Sequence, residues 1–147
     1  MNLSIYLKEM SDKDITALPA ATLAFMGDTV YETLVRQYHI KSGGVNAAKL
    51  HRRSVAMSRA GFQSNAAKLL FSQLTEAEAA VFKRGKAVSS RIPRNADMLE
   101  YRRATALETL FGWLYLQNKR DRLAELFCEC EKLYEKEQES ENKSKTS

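Results

Sequence analysis

Asp28 and Glu108 are the residues in this chain best suited to chemistry, because each stands alone among apolar neighbours. Between Ile15 and Val35 the only charged side chains are Asp28 and Glu32, and between Ala104 and Asn118 the only one is Glu108. Leu23, Phe25, Met26, Val30, Tyr31, Leu34 and Val35 surround the first acid; Leu107, Leu110, Phe111, Trp113, Leu114, Tyr115 and Leu116 surround the second. An ionised carboxylate in such company is costly unless it is paired, hydrogen-bonded or bound to a metal. Both segments therefore read as buried helices carrying one misplaced charge each. Two accounts are open. One is a buried salt bridge to Lys49, Arg52, Arg53, Arg102 or Arg103; the other is a shared hard cation, since oxygen-only ligands select ions such as Mg²⁺, which takes one or two carboxylates plus waters when it acts on phosphates. Each acid also has a glycine at a contact-forming offset, Gly27 beside Asp28 and Gly112 one turn after Glu108. A glycine inside a helix costs about 0.5 to 1 kcal/mol relative to alanine. A close crossing of the two helices would justify that cost and bring the acids together.

The elements that must position them are helical. Leu18 and Pro19 predict the start of a helix running to about Lys41 and ending at Ser42-Gly43-Gly44. Asn46 caps a second, from Ala47 to about Arg59, closed by Gly61. A third, shorter helix reaches about Phe71. Thr75 and Glu78 have the spacing of a capping box, which starts a fourth helix to about Arg84. A loop from Gly85 to Asn95 follows, and Asn95 or Asp97 caps a fifth helix to about Asn118. The last helix carries Leu123, Leu126, Phe127, Cys130, Leu133 and Tyr134 on one face. Residues 1–17 read as a polar leader, 18–134 as the folded domain and 135–147 as a frayed or disordered charged tail. No segment alternates with period two, so the fold class is all-α with about six helices.

With 147 residues, 44% of them apolar, and only 6 Gly and 2 Pro, this is a single folded domain rather than a disordered or fibrous chain. The longest uncharged stretch, Ile15 to Gly27, has 13 residues, short of the roughly 18 to 20 that cross a bilayer. No secretory signal is recognisable at the start, so a cytoplasmic location without membrane contact is expected. Cys128 and Cys130 lie two apart on a helix, which disfavours a disulfide or a metal pair. The net charge is +5, and it is unevenly spread: Arg36 to Arg103 holds 14 Lys and Arg against 4 Asp and Glu, the remainder 9 against 14. Such a basic block predicts a polyanion partner, with nucleic acid the first candidate and no small-molecule substrate.

Two strings resemble a known family. Phe25-Met26-Gly27-Asp28-Thr29-Val30 is similar to the signature helix of ribonuclease III endonuclease domains, and Leu107-Glu108-Thr109-Leu110-Phe111-Gly112-Trp113-Leu114-Tyr115-Leu116 to their second acidic helix. Gly27-Asp28-Thr29-Val30-Tyr31-Glu32, Lys49-Leu50-His51-Arg52, Lys83-Arg84-Gly85-Lys86 and Tyr101-Arg102-Arg103-Ala104-Thr105 resemble the short bacterial branch, Mini-ribonuclease III, which lacks a double-stranded-RNA-binding domain. The likeness covers roughly Leu18 to Leu133. It implies an all-helical homodimer that cuts double-stranded RNA with Mg²⁺ in maturation of the 23S ribosomal RNA precursor, with Asp28 and Glu108 as the catalytic, metal-binding acids. The chain departs from full-length ribonuclease III at Ala21, Ala24 and Thr105, where that enzyme carries acids, so two carboxylates per site must suffice. It departs from the short branch at Lys86-Ala87-Val88-Ser89-Ser90, where the pattern is Lys/Arg-Asn-Ala-Lys-Ser.

Lys83, Arg84, Lys86, Arg91 and Arg94, interleaved with Ser89 and Ser90, form the candidate RNA arm, against the plainer reading of a solvated loop. A-form RNA presents phosphates and 2′-hydroxyls rather than readable bases, which suits such an arm. Lys49, Arg52 and Arg53 are a second candidate contact, or simply a polar face. His51 reads as a surface histidine, His39 as a partner of a helix-end dipole, and Glu32 as the i, i+4 mate of Arg36. Trp113 and Tyr115 read as core and dimer interface. Besides the endoribonuclease, two readings compete: a non-catalytic module that grips structured RNA, and a helical protein-interaction domain. Retention of both acids opposes the former, and two motif matches oppose the latter.

Overall fold

The computed structural model describes residues 10–43, 46–88, 94 and 97–146. Among them are seven helices: α1 (Asp12–Thr16), α2 (Ala20–Lys41), α3 (Ala47–Ser58), α4 (Ala60–Phe71), α5 (Glu76–Lys86), α6 (Met98–Leu116) and α7 (Arg120–Thr146). The expected all-α class holds.

Local chemistry starts most of them. Asn46 Oδ1 accepts from the Ala48 and Lys49 amides, and Asp97 Oδ1 from those of Leu99 and Glu100. Thr75 and Glu78 form the reciprocal capping box, at 3.2 and 2.9 Å. Each cap satisfies amides that the first helical turn leaves without a partner. Just past the end of α6, Asn118 has a φ of 59°, the left-handed conformation asparagine tolerates better than most residues.

α6 is the centre of the molecule. Ala104, Ala106, Leu107 and the whole run from Thr109 to Leu114 are buried, because α2, α4, α5 and α7 all pack against it. A helix apolar on every side has no other stable place. α2 differs, burying one stripe, Leu23, Ala24, Gly27, Val30, Tyr31, Val35 and His39, and turning the other outward.

Four boundaries depart from expectation. The leader contains α1, whose Ile15 is core. The break between α3 and α4 falls at extended Arg59, so Gly61 lies inside α4 rather than closing α3. α5 continues through Gly85 to Lys86 instead of yielding to a loop there. The tail expected to fray from Glu135 continues α7 to Thr146. Its Glu139 and Glu141 precede Lys143 and Lys145 by four residues, the favourable order for helix-stabilising pairs, and Glu135 accepts from the Tyr38 hydroxyl at 2.8 Å.

Candidate active site

α2 and α6 cross through their glycines. A Cβ at Gly27 would lie 1.6 Å from the Glu108 carbonyl oxygen, and one at Gly112 would lie 2.0 Å from that of Leu23. No side chain fits there. The crossing brings Asp28, next to Gly27, into electrostatic reach of Glu108.

The two acids are not equivalent. Asp28 is exposed, contrary to the buried position expected of it, because it falls on the outward stripe of α2 with Phe25, Thr29 and Arg36. Glu108 is half-buried, and its carboxyl is pushed up to about 8, first by burial and then by the Asp28 charge. Among the described residues neither acid forms an ion pair, which leaves the salt-bridge alternative without support. Glu32 is engaged as expected, accepting from Arg36 Nε at 3.0 Å, and also from the Ser58 hydroxyl at 2.8 Å.

Two neighbouring carboxylates with no base between them fit a divalent cation, whose charge offsets both their repulsion and the burial of Glu108. Among the described residues no group of three His, Cys, Asp or Glu is placed to hold a metal. Asp28 and Glu108 are the two residues here that would hold such an ion, with other oxygens needed to complete its shell.

The basic candidates differ in exposure. Lys83 and Lys86 are exposed at the end of α5, with the Lys83 ammonium 5.8 Å from the Phe71 ring centre. Arg94 is exposed, whereas Arg91, Ser89 and Ser90 lie outside the described residues. Arg84 corrects the expectation: its guanidinium turns inward to the carbonyls of Thr16 and Leu18. Lys49 and Arg52 are exposed on α3. Arg53 is half-buried and lines a groove of about 500 Å³ with His39, Tyr134, Glu135 and Glu139. Because Arg53 neighbours His39, that part of α3 stands roughly three helical turns from Asp28 along α2.

His39 lies in the last turn of α2, as expected of a partner for the helix-end dipole, but it is enclosed rather than solvated. It is 1% exposed, and its pKa is lowered by burial and by the Arg53 charge. His51 is exposed. Trp113 is core and donates to the Thr16 hydroxyl at 2.9 Å, while Tyr115 is exposed. Cys128 and Cys130 are free, the latter buried with its thiol pushed up to about 12 by burial.

Composition did not single out Phe25, which is 81% exposed one turn before Asp28. Its signal was the outward stripe of α2, hidden by the apolar residues around it.

The all-helical fold, with two acids in electrostatic reach across a glycine crossing, is that of a ribonuclease III-type domain: residues 21–119 match the Ribonuclease III domain family. Mini-ribonuclease 3 of Clostridium tetani is 34% identical over 93% of this chain and 92% of its own length. That of Brevibacillus brevis is 39% identical over 81% and 90%. A crystal structure of a Fusobacterium nucleatum protein superposes with a TM-score of 0.73 at 30% identity, covering 84% of this chain and 98% of that one. The chain belongs to the ribonuclease III family, in its Mini-ribonuclease 3 branch. Among the described residues no helix is long and apolar enough to cross a membrane.

Proposed function

We propose that the protein is an endoribonuclease that hydrolyses double-stranded RNA with Mg²⁺ held by Asp28 and Glu108. The observation that carries this reading is the glycine crossing, which brings an exposed and a half-buried acid, neither of them in an ion pair among the described residues, into electrostatic reach of each other. The ion, when bound there, supplies Lewis-acid charge stabilisation and an activated water for phosphodiester hydrolysis. The rest of the work falls to the chain. Asp28, on the outward stripe, faces the RNA backbone; Glu108, recessed on the most buried helix, is held rigid by the core around it. Lys83, Lys86 and Arg94, with Lys49 and Arg52 further along, offer cations to phosphates and carry no base readout.

The working unit is a homodimer with one site for each strand, and the exposed Phe25, one turn before Asp28, supports a second copy covering the Phe25 end of that stripe and leaving Asp28 open. The substrate is a duplex in the 23S ribosomal RNA precursor and the setting is the cytoplasm, both drawn from the family resemblance.

The test is incubation of the purified chain with a long RNA duplex in Mg²⁺ and in EDTA, beside Asp28→Asn and Glu108→Gln variants. Cleavage is expected to need Mg²⁺ and to fall about a hundredfold or more in each variant, with duplex binding retained. A wild type that binds duplexes but cuts none of them, in Mg²⁺ or Mn²⁺, would make the protein an RNA-binding module instead.

A further inference from the structure

Arg84 stands in the basic run at the end of α5, yet its guanidinium faces the protein. One terminal nitrogen donates to the Thr16 carbonyl at 2.8 Å and the other to the Leu18 carbonyl. These oxygens belong to the turn between α1 and α2, where a helix end leaves carbonyls without helical partners. Thr16 is held from a second side, its hydroxyl accepting from Trp113 Nε1 of α6 at 2.9 Å. The next residue, Gly85, presses α5 onto α6: a Cβ there would meet Thr109 Oγ1 at 2.4 Å and Ala106 Cα at 2.9 Å. Thr109 follows Glu108 directly. The last turn of α5 is thus fixed twice, by Arg84 to the turn that leads into the helix of Asp28, and by Gly85 to the helix of Glu108. Lys83 and Lys86 flank this double anchor and point to solvent.

We propose that Arg84 is a positioning residue for the RNA duplex: it touches no phosphate itself but clamps the last turn of α5 to the α1–α2 turn, so that Lys83 and Lys86 meet the backbone at a set distance from Asp28 and Glu108. The proposal rests on the double-stranded RNA reading above. A planar guanidinium fork reaches two carbonyls at once, which one ammonium does less well. Lysines are flexible point charges, so the register of their contacts depends on the backbone that carries them.

The experiment measures binding of a defined RNA duplex in EDTA across a KCl series for wild type, Arg84→Ala, Lys86→Ala and the double variant. Arg84→Ala is expected to weaken binding roughly tenfold and to flatten the salt dependence by about one ion, the amount a lost phosphate contact produces. The double variant should bind within about twofold of Arg84→Ala alone, because the two residues act as one unit. In Mg²⁺, Arg84→Ala should raise KM with kcat within about twofold, and Arg84→Lys should recover part of the loss. If circular dichroism shows Arg84→Ala unfolded, Arg84→Gln, which keeps one donor, takes its place in the same comparison. Multiplying losses in the double variant would show Arg84 and Lys86 acting separately and overturn the proposal, as would unchanged binding on losing Arg84. A wild type that binds no duplex overturns the functional reading first, and this proposal with it.

Discussion

Gly27 and Gly112 face one another across the α2–α6 crossing so closely that a Cβ on either would lie 2.9 Å from the backbone nitrogen of the other. Backbone meeting backbone cannot rotate away, so the distance between Asp28 and Glu108 is set by two residues that lack side chains.

Gly27→Ala and Gly112→Ala are each expected to cost about 3 kcal/mol, the upper part of the overpacking range, because no flexible atom can yield. Gly43→Ala is the control. Gly43 has a φ of 92° and open space around it, so the substitution costs only the left-handed backbone strain of about 1 kcal/mol. Urea denaturation of the three variants checks the order, and an equal cost at all three positions would disprove the crossing.

The raised carboxyl of Glu108 makes a statement about pH. Its folded-state pKa of about 8 lies above the ordinary 4.5, so between those values the folded chain holds a proton that the unfolded chain has lost. Stability must fall as pH rises through that window. Glu108→Gln should therefore stabilise the metal-free protein by on the order of 1–3 kcal/mol near pH 8, after discounting for partial solvation, and by almost nothing near pH 4. Denaturation in EDTA at the two pH values reads this out. Mg²⁺ added at pH 8 should stabilise the wild type more than the variant.

Glu78 behaves in the opposite sense. Burial raises its pKa, but hydrogen bonds from Arg122, at 2.9 and 2.8 Å, and from the Thr75 amide outweigh burial and hold the carboxyl below its ordinary range. The stabilisation is present above the unfolded pKa and is lost as pH falls through the folded one. Arg122→Ala strands a buried charge and is expected to cost about 2–4 kcal/mol at pH 7. The difference from wild type should shrink below pH 4. Thermal melts at pH 7 and pH 3 give the comparison, and a constant gap would show that the pair contributes through packing alone.

Much of this protein is legible in its amino-acid sequence. Asn46, Asp97 and the Thr75–Glu78 box marked three helix starts because a cap bonds to amides two or three residues away. The two glycines beside two isolated acids announced the crossing, since a helix carries such residues at a cost that only close packing offsets. Glu32 and Arg36 are one helical turn apart, and they pair.

Arg84 and Arg122 show what was not legible. Each belongs by type to a solvated surface, yet Arg84 bonds to carbonyls 68 and 66 residues away and Arg122 to an acid 44 residues away. The apolar neighbours of Asp28 and Phe25 imply burial, but helical periodicity turns both toward solvent while Gly27, one residue from Asp28, is enclosed. His39 sits at a helix end as the sequence implies, but its enclosure by Arg53 of α3 and Tyr134 of α7 is not visible there. The sequence by itself determined the all-helical class, most of the helix starts and the family, because caps, periodicity and glycine spacing act within a few residues of the chain. Tertiary structure decided which charges meet solvent and which meet carbonyls, because a long side chain's partner depends on helices distant in sequence that arrive beside it only on folding.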